Sequence, residues 1–204
     1  MCGGVFFNGG AVIRNCVNRN AANGGGLTIY NGGTATIDGG IITECQKNMT
    51  NGGGGICLSN AATGSAATLI MISGEISGNR AIGSETSTYN GGGISAYGSS
   101  AITISGGKIS GNRATQHGGG IYAEGALTIN NSTISGNSVN GNGGGIYGAA
   151  KCTIRRSGNV IIGGTKPEDG NVAGRYGGGG ILINGANTSP CSINIGEPAE
   201  ISNK

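Results

Sequence analysis

The chain has 204 residues, 47 of them glycine, with three prolines, 4% aromatic residues and a formal net charge of +3. Glycine does not fall at every third position and proline is scarce, which excludes collagen, and no apolar run is long enough to span a membrane. The basic residues are scattered except for Arg155-Arg156, so nucleic acid is not an expected partner.

A glycine run recurs before Val5, Leu27, Ile56, Ile94, Ile121, Ile146 and Ile181. The cleanest unit spans 118–137. It reads Gly-Gly-Gly-Ile121-Tyr122, then Leu127-Thr128-Ile129, then Thr133-Ile134 and a Ser135-Gly136-Asn137 turn. These three apolar beats are too short for helices and rich in β-branched residues, while Gly and Asn mark corners that need left-handed backbone. Apolar residues in register argue against disorder.

In chain order, residues 1–23 read as a truncated first coil around Val5-Phe6-Phe7 and Val12-Ile13. Residues 24–51 form the second, with Leu27, Ile37 and Ile42 pointing inward. Residues 52–90 form the third, with an insertion near 61–66 and a polar lateral loop over 81–90. Residues 91–142 hold two regular coils. Residues 143–176 carry a charged loop over 163–176, and 177–204 form the last coil. The expectation is an all-β, right-handed, single-stranded parallel β-helix (a pectin-lyase-like solenoid) of about seven coils, in one domain over 1–204. Neither end carries a cap, so the chain is expected to be a fragment of a longer surface protein.

The spacing predicts stacked columns. Ile37, Ile104, Ile129 and Ile154 share the second beat and are expected in one core column. Ile42, Ile76, Ile109 and Ile134 share the third. Asn79, Asn112 and Asn137 each follow a third-beat isoleucine by three residues, which predicts a side-chain amide ladder at one corner. Cys45 and Cys16 extend that column. Cys16 and Cys45, like Cys152 and Cys191, share a position in adjacent coils, and stacked positions ~4.8 Å apart suit a disulfide. Two readings stay open: bridges, which would place the chain outside the cytoplasm, or free thiols replacing small residues. Cys2 and Cys57 have no evident mate. With no Cys-x-x-Cys and a single histidine, His117, no metal or cofactor is expected.

Polysaccharide cleavage requires carboxylates close together. Asp38 and Asp169 lie coils apart, Glu168-Asp169 sit in a loop, and Glu44 and Glu75 occupy different beats, so no catalytic residue is assigned. Thr36, Thr103, Thr128, Thr153 and Ser192 form a plausible outward column interrupted by Met71, which raises ice binding as a further alternative.

Gly119-Gly120-Ile121, together with Ile76-x-x-Asn79, Ile109-x-x-Asn112 and Ile134-x-x-Asn137, resembles the polymorphic outer-membrane protein repeats of bacterial surface autotransporter passengers. It is similar also to adhesin-like repeat proteins of gut bacteria and archaea. Those units pair Gly-Gly-Ala-Ile with Phe-x-x-Asn; here isoleucine stands for the phenylalanine. The likeness covers about residues 3–195. It implies a right-handed β-helix, a secreted or surface location (outer membrane or cell wall), adhesion, and no catalytic residue. The expected function is a non-catalytic module for adhesion or structural display, with 81–90 and 166–176 as binding loops. Its expected partners are a host or cell-surface glycan or matrix protein, and adjacent repeat domains of a longer chain. A polysaccharide lyase or glycoside hydrolase is the main alternative.

Overall fold

The computed structural model describes residues 4–20, 23–59, 64–84, 87–149, 151–164, 166–175, 177–185, 192–195 and 200–201. Its strands fall into four sheets, A to D, and consecutive strands in the chain belong to consecutive sheets. One turn is Ala101–Ile104 in sheet A, Gly107–Ser110 in B, Arg113–Ala114 in C and Ile121–Ala123 in D. Each strand pairs in parallel with its counterpart one turn away. Sheets A and B hold seven strands, C and D six. The described residues therefore make six complete turns and half of a seventh. The expected parallel β-solenoid is found, with four strands per turn where three beats were read. The strands missed are those of sheet C, such as Gln46–Lys47, Arg80–Ala81 and Ser138–Val139. Two residues are too few for alternation to register.

The core lies inside the coil, between sheets A, B and D. In sheet B, Ile13, Ile42, Ile76, Ile109, Ile134 and Ile162 stand in one column. Sheet A corrects one expectation. Its column runs Ile37, Met71, Ile104, Ile129 and then Arg156; Ile154 pairs with Leu127 in the neighbouring column. The connection from sheet D into A is two residues longer in this turn: Ala123 to Ala126 corresponds to Gly148 to Thr153. A two-residue slip keeps every side chain on its face, so the apolar pattern cannot reveal it. Ile154 stays buried in the core.

The outward threonines divide for the same reason. Thr36, Ile70, Thr103, Thr128, Arg155 and Asn194 share one column, while Thr153 pairs with Ala126 and Ser192. The interruption is Ile70, since Met71 points into the core. Val5 likewise leaves the glycine-run column. It pairs with Ala35 in sheet A, whereas Leu27, Ile56, Ile94, Ile121, Ile146 and Ile181 form the sheet D column.

The corner between sheets B and C carries the amide ladder. Asn79, Asn112 and Asn137 are fully buried. Each Oδ1 accepts the backbone N–H of the rung before it: Cys45 to Asn79 at 2.9 Å, Asn79 to Asn112 at 2.9 Å and Asn112 to Asn137 at 3.0 Å. Each Nδ2 donates back to a sheet B carbonyl, of Ile42, Ile76 and Ile109. A fourth rung, Asn171, bonds Asn137 the same way and donates to Ile134 O at 2.7 Å. The predicted 163–176 loop is therefore shorter than expected. It holds the 3-10 turn Pro167–Asp169, then returns to the ladder at Asn171 and to sheet C at Val172–Ala173. Residues 61–63 of the predicted 61–66 insertion, and Glu85 and Thr86 of the 81–90 loop, lie outside the described residues.

The glycine run has three separate reasons, seen at 118–120. Gly118 has φ +65°, a left-handed turn. A Cβ on Gly119 would lie 2.4 Å from Gly144 O and 2.6 Å from Ser138 O, because sheet C backbone packs directly on it. A Cβ on Gly120 would meet Gly145 O at 2.6 Å and the Asn137 amide at 3.1 Å. The run is the inner seat of the ladder and of sheet C.

Candidate functional site: a lateral cleft over sheet D

Strands of sheet D alternate as all half-buried strands do. In Ile121–Ala123 and Ile146–Gly148 the isoleucine points into the core and the next residue points out. The outward column runs Cys57, Ser95, Tyr122, Tyr147, Leu182. Over it opens a cleft of about 1070 Å³. Its rim comes from four consecutive D-to-A connections, at Gly98-Ser99, Glu124-Gly125, Ala149 and Lys151, and Asn184-Gly185. Three inter-turn steps of ~4.8 Å make it about 14 Å long along the solenoid axis. The opposite wall carries Thr88, Asn90 and His117, which lead into sheet D.

The floor is aromatic. Tyr122 and Tyr147 stack at 5.7 Å between centroids, 8° apart in plane; His117 stacks on Tyr147 at 4.3 Å, and Tyr97 lies tilted against Tyr122 at 5.4 Å. Tyr122 and Tyr147 are only 8% and 5% exposed. Their π faces are occupied by one another, so the cleft presents ring edges and hydroxyls.

Those polar groups are held in place. Tyr122 Oη donates to Glu124 Oε1 at 2.8 Å, and the Gly98 N–H donates to Glu124 Oε2 at 2.6 Å. Asn184 Nδ2 donates to Tyr147 Oη at 2.8 Å, which leaves that hydroxyl's own proton for another acceptor. Burial, then the Glu124 charge, pushes the Tyr122 hydroxyl far above the usual phenol range. Burial alone lowers His117, so the imidazole is neutral at pH 7. Beneath, Ser95 Oγ donates to Asn90 O at 2.6 Å.

The residues singled out from sequence fall differently. The 81–90 segment supplies Thr88 and Asn90 to the cleft. Among the described residues, 166–175 do not line it; Pro167, Val172 and Arg175 border a separate hollow of about 220 Å³. Glu168 and Asp169 sit in the 3-10 turn and do not line the cleft with Glu124. Cys16 and Cys45 occupy consecutive ladder positions as thiols. Cys45 Sγ donates to Thr43 O at 3.3 Å and Ile13 O at 3.8 Å, the latter as each asparagine Nδ2 does one turn on; burial raises its pKa. Cys152 is a buried thiol whose predicted mate, Cys191, lies outside the described residues. Cys57 is buried behind the cleft, and burial pushes its thiol up to about 11.

Tyr122, Tyr147, Glu124, Lys151 and Asn184 were not identified from sequence. The one available signal was Gly-Gly-Gly-Ile-Tyr occurring twice, at 118–122 and 143–147. Among the described residues no three His, Cys, Asp or Glu side chains converge as a metal site would require. The fold and cleft together define a parallel β-solenoid with a lateral groove over one sheet. Compared with protein-family models, curated proteins and solved structures, the chain matches none.

Proposed function

We propose that this chain is a non-catalytic repeat module, secreted or on a cell surface, that works by adhesion and holds its ligand in the cleft over sheet D. The observation that carries this reading is the cleft itself: a groove crossing four turns, with hydrogen-bonding groups converging on it from both walls. Among the described residues lining it, Glu124 is the single carboxylate. Glycoside hydrolysis by the usual route pairs two, about 5–10 Å apart. That favours binding over a polysaccharide lyase or glycoside hydrolase. The surface location rests on the repeat resemblance, and membership of the polymorphic outer-membrane protein repeats is part of the same proposal. Weak binding per cleft would gain strength from many copies on one surface.

The test is to probe glycan and matrix-protein arrays with the intact chain and with Ala126→Trp, which fills the cleft mouth from an exposed position. Loss of binding with an unchanged melting curve supports the proposal. Turnover of a polysaccharide, abolished by Glu124→Gln, would overturn it in favour of an enzyme.

A further inference from the structure

The cleft holds an unfilled hydrogen-bonding requirement. Asn90 is 3% exposed, lines the groove, and its Oδ1 is buried without a partner among the described residues. His117 Nδ1 is in the same state. The two residues are neighbours on adjacent turns, paired in a parallel backbone bridge, and both lie on the wall leading into sheet D. A buried amide oxygen without a donor is costly, so a ligand group that supplies one gains affinity there. Neutral histidine carries one N–H and one acceptor nitrogen. A hydroxyl matches the pair: it donates to Asn90 Oδ1 and then accepts from, or is bridged to, the imidazole.

The charge on the groove narrows the ligand further. Glu124 and Lys151 are its only formally charged side chains among the described residues, and they cancel. Glu124 spends one lone pair of each oxygen on Tyr122 and Gly98, and a carboxylate has about four such sites. Two remain, side by side, which suits two adjacent hydroxyls. The Tyr147 hydroxyl adds a donor. The aromatic faces are stacked against one another, so recognition runs through edges and hydroxyls. A groove about 14 Å long, three ~4.8 Å steps, exceeds what one small ring fills.

Resting on the reading of the cleft as a binding site, we infer that its ligand is a neutral oligosaccharide of several rings. One sugar hydroxyl enters the Asn90–His117 subsite and two adjacent hydroxyls bind Glu124. Water filling that subsite permanently is the competing account, and the Asn90 variant separates the two.

The experiment is calorimetric titration of the intact chain with three probe classes: neutral oligosaccharides of one to four rings, oligouronates, and a fibrous matrix protein. It is repeated with Asn90→Ala, Glu124→Gln and Ala126→Trp, each checked by its melting curve. The expected result is neutral-oligosaccharide binding that tightens with ring number, is lost in Ala126→Trp, and weakens about tenfold in Glu124→Gln and several-fold in Asn90→Ala. Binding of oligouronate or matrix protein alone, blocked by Ala126→Trp, would overturn the ligand class while leaving the cleft as the binding site. Neutral-sugar binding unchanged by Asn90→Ala would overturn the subsite. If no probe responds to Ala126→Trp, both this inference and the adhesive cleft fail.

Discussion

Replacing Asn112 with Ala tests what holds the turns together. Its Oδ1 accepts from the Asn79 backbone N–H at 2.9 Å and from Asn79 Nδ2 at 3.0 Å. Its Nδ2 donates to Ile76 O at 2.9 Å and Asn137 Oδ1 at 3.0 Å. Truncation does not strand the neighbouring side chains. Asn79 Nδ2 keeps Ile42 O, and Asn137 Oδ1 keeps the Asn112 N–H. The Asn79 N–H and the Ile76 carbonyl lose their side-chain partner at a site with no solvent exposure. At about 1–3 kcal/mol for each stranded buried group, the expected loss is about 2–6 kcal/mol. Asn112→Asp should be worse at neutral pH, because its carboxylate would point oxygens at two acceptors. That raises the acid's folded pKa, so stability of the Asp variant is regained as pH falls and lost as it rises. Denaturant melts give the magnitude, and hydrogen exchange at the Asn79 amide gives the location. A loss under about 1 kcal/mol, or unchanged exchange at Asn79, would refute the ladder as a stabilising element.

Gly119→Ala should destabilise by about 3 kcal/mol or more, since its Cβ meets rigid backbone on two sides, whereas Gly9→Ala, with nothing within 4 Å, should be near neutral in the same melts. Lys47 is fully buried in a register position where the next turn has Ala81, and its Nζ has no hydrogen-bond partner among the described residues. Lys47→Met should therefore stabilise by about 1–4 kcal/mol at pH 7. Burial lowers the Lys47 pKa from 10.5, so between the lowered folded value and 10.5 the unfolded chain binds more protons and wild-type stability rises with pH; the Met variant should lack that rise. Diamide, which takes up the two thiol hydrogens, should link Cys16 to Cys45, seen by peptide mapping under non-reducing conditions; Cys57, buried and held protonated, should remain unmodified in the folded chain.

The sheet B column and the amide ladder were legible because both sit at a constant offset from one apolar anchor. Ile76, Ile109 and Ile134 each precede an asparagine by three residues, and the pairing follows that spacing. Asn171 is hidden in the sequence because eight residues, 163–170, separate it from Ile162 where two separate the other rungs from their isoleucines; the rung is chemically the same, but its offset is not. The shift that moved Ile154 is the opposite case, where spacing was kept in appearance and changed in fact. Sheet C was invisible because each two-residue strand offers a single small inward residue, Ala81, Ala114, Val139 or Ala173, and otherwise rests on the glycine backbone, too little for a period to register.

The cleft was out of reach for a different reason. A solenoid constrains inward positions by stacking like on like, and the isoleucines following the glycine runs at 56, 94, 121 and 146 show that constraint. The next residue faces outward and is released from it. Along the chain it is Thr28, Cys57, Ser95, Tyr122, Tyr147 and Leu182, and of these the two tyrosines line the groove. The change of chemistry at a position where the backbone repeats faithfully is thus the mark of the site. Glu124, Lys151 and Asn184 lie 27 and 33 residues apart in the chain, yet the winding sets them on successive turns of one wall. Their convergence is a property of the coil pitch and of the longer connection at 148–153, neither of which the residues themselves announce. A ligand that reads this wall must therefore read several turns at once, which ties affinity to the integrity of the stack: loosening one rung of the ladder at the corner between sheets B and C, as Asn112→Ala does, should weaken binding even though that residue does not line the groove.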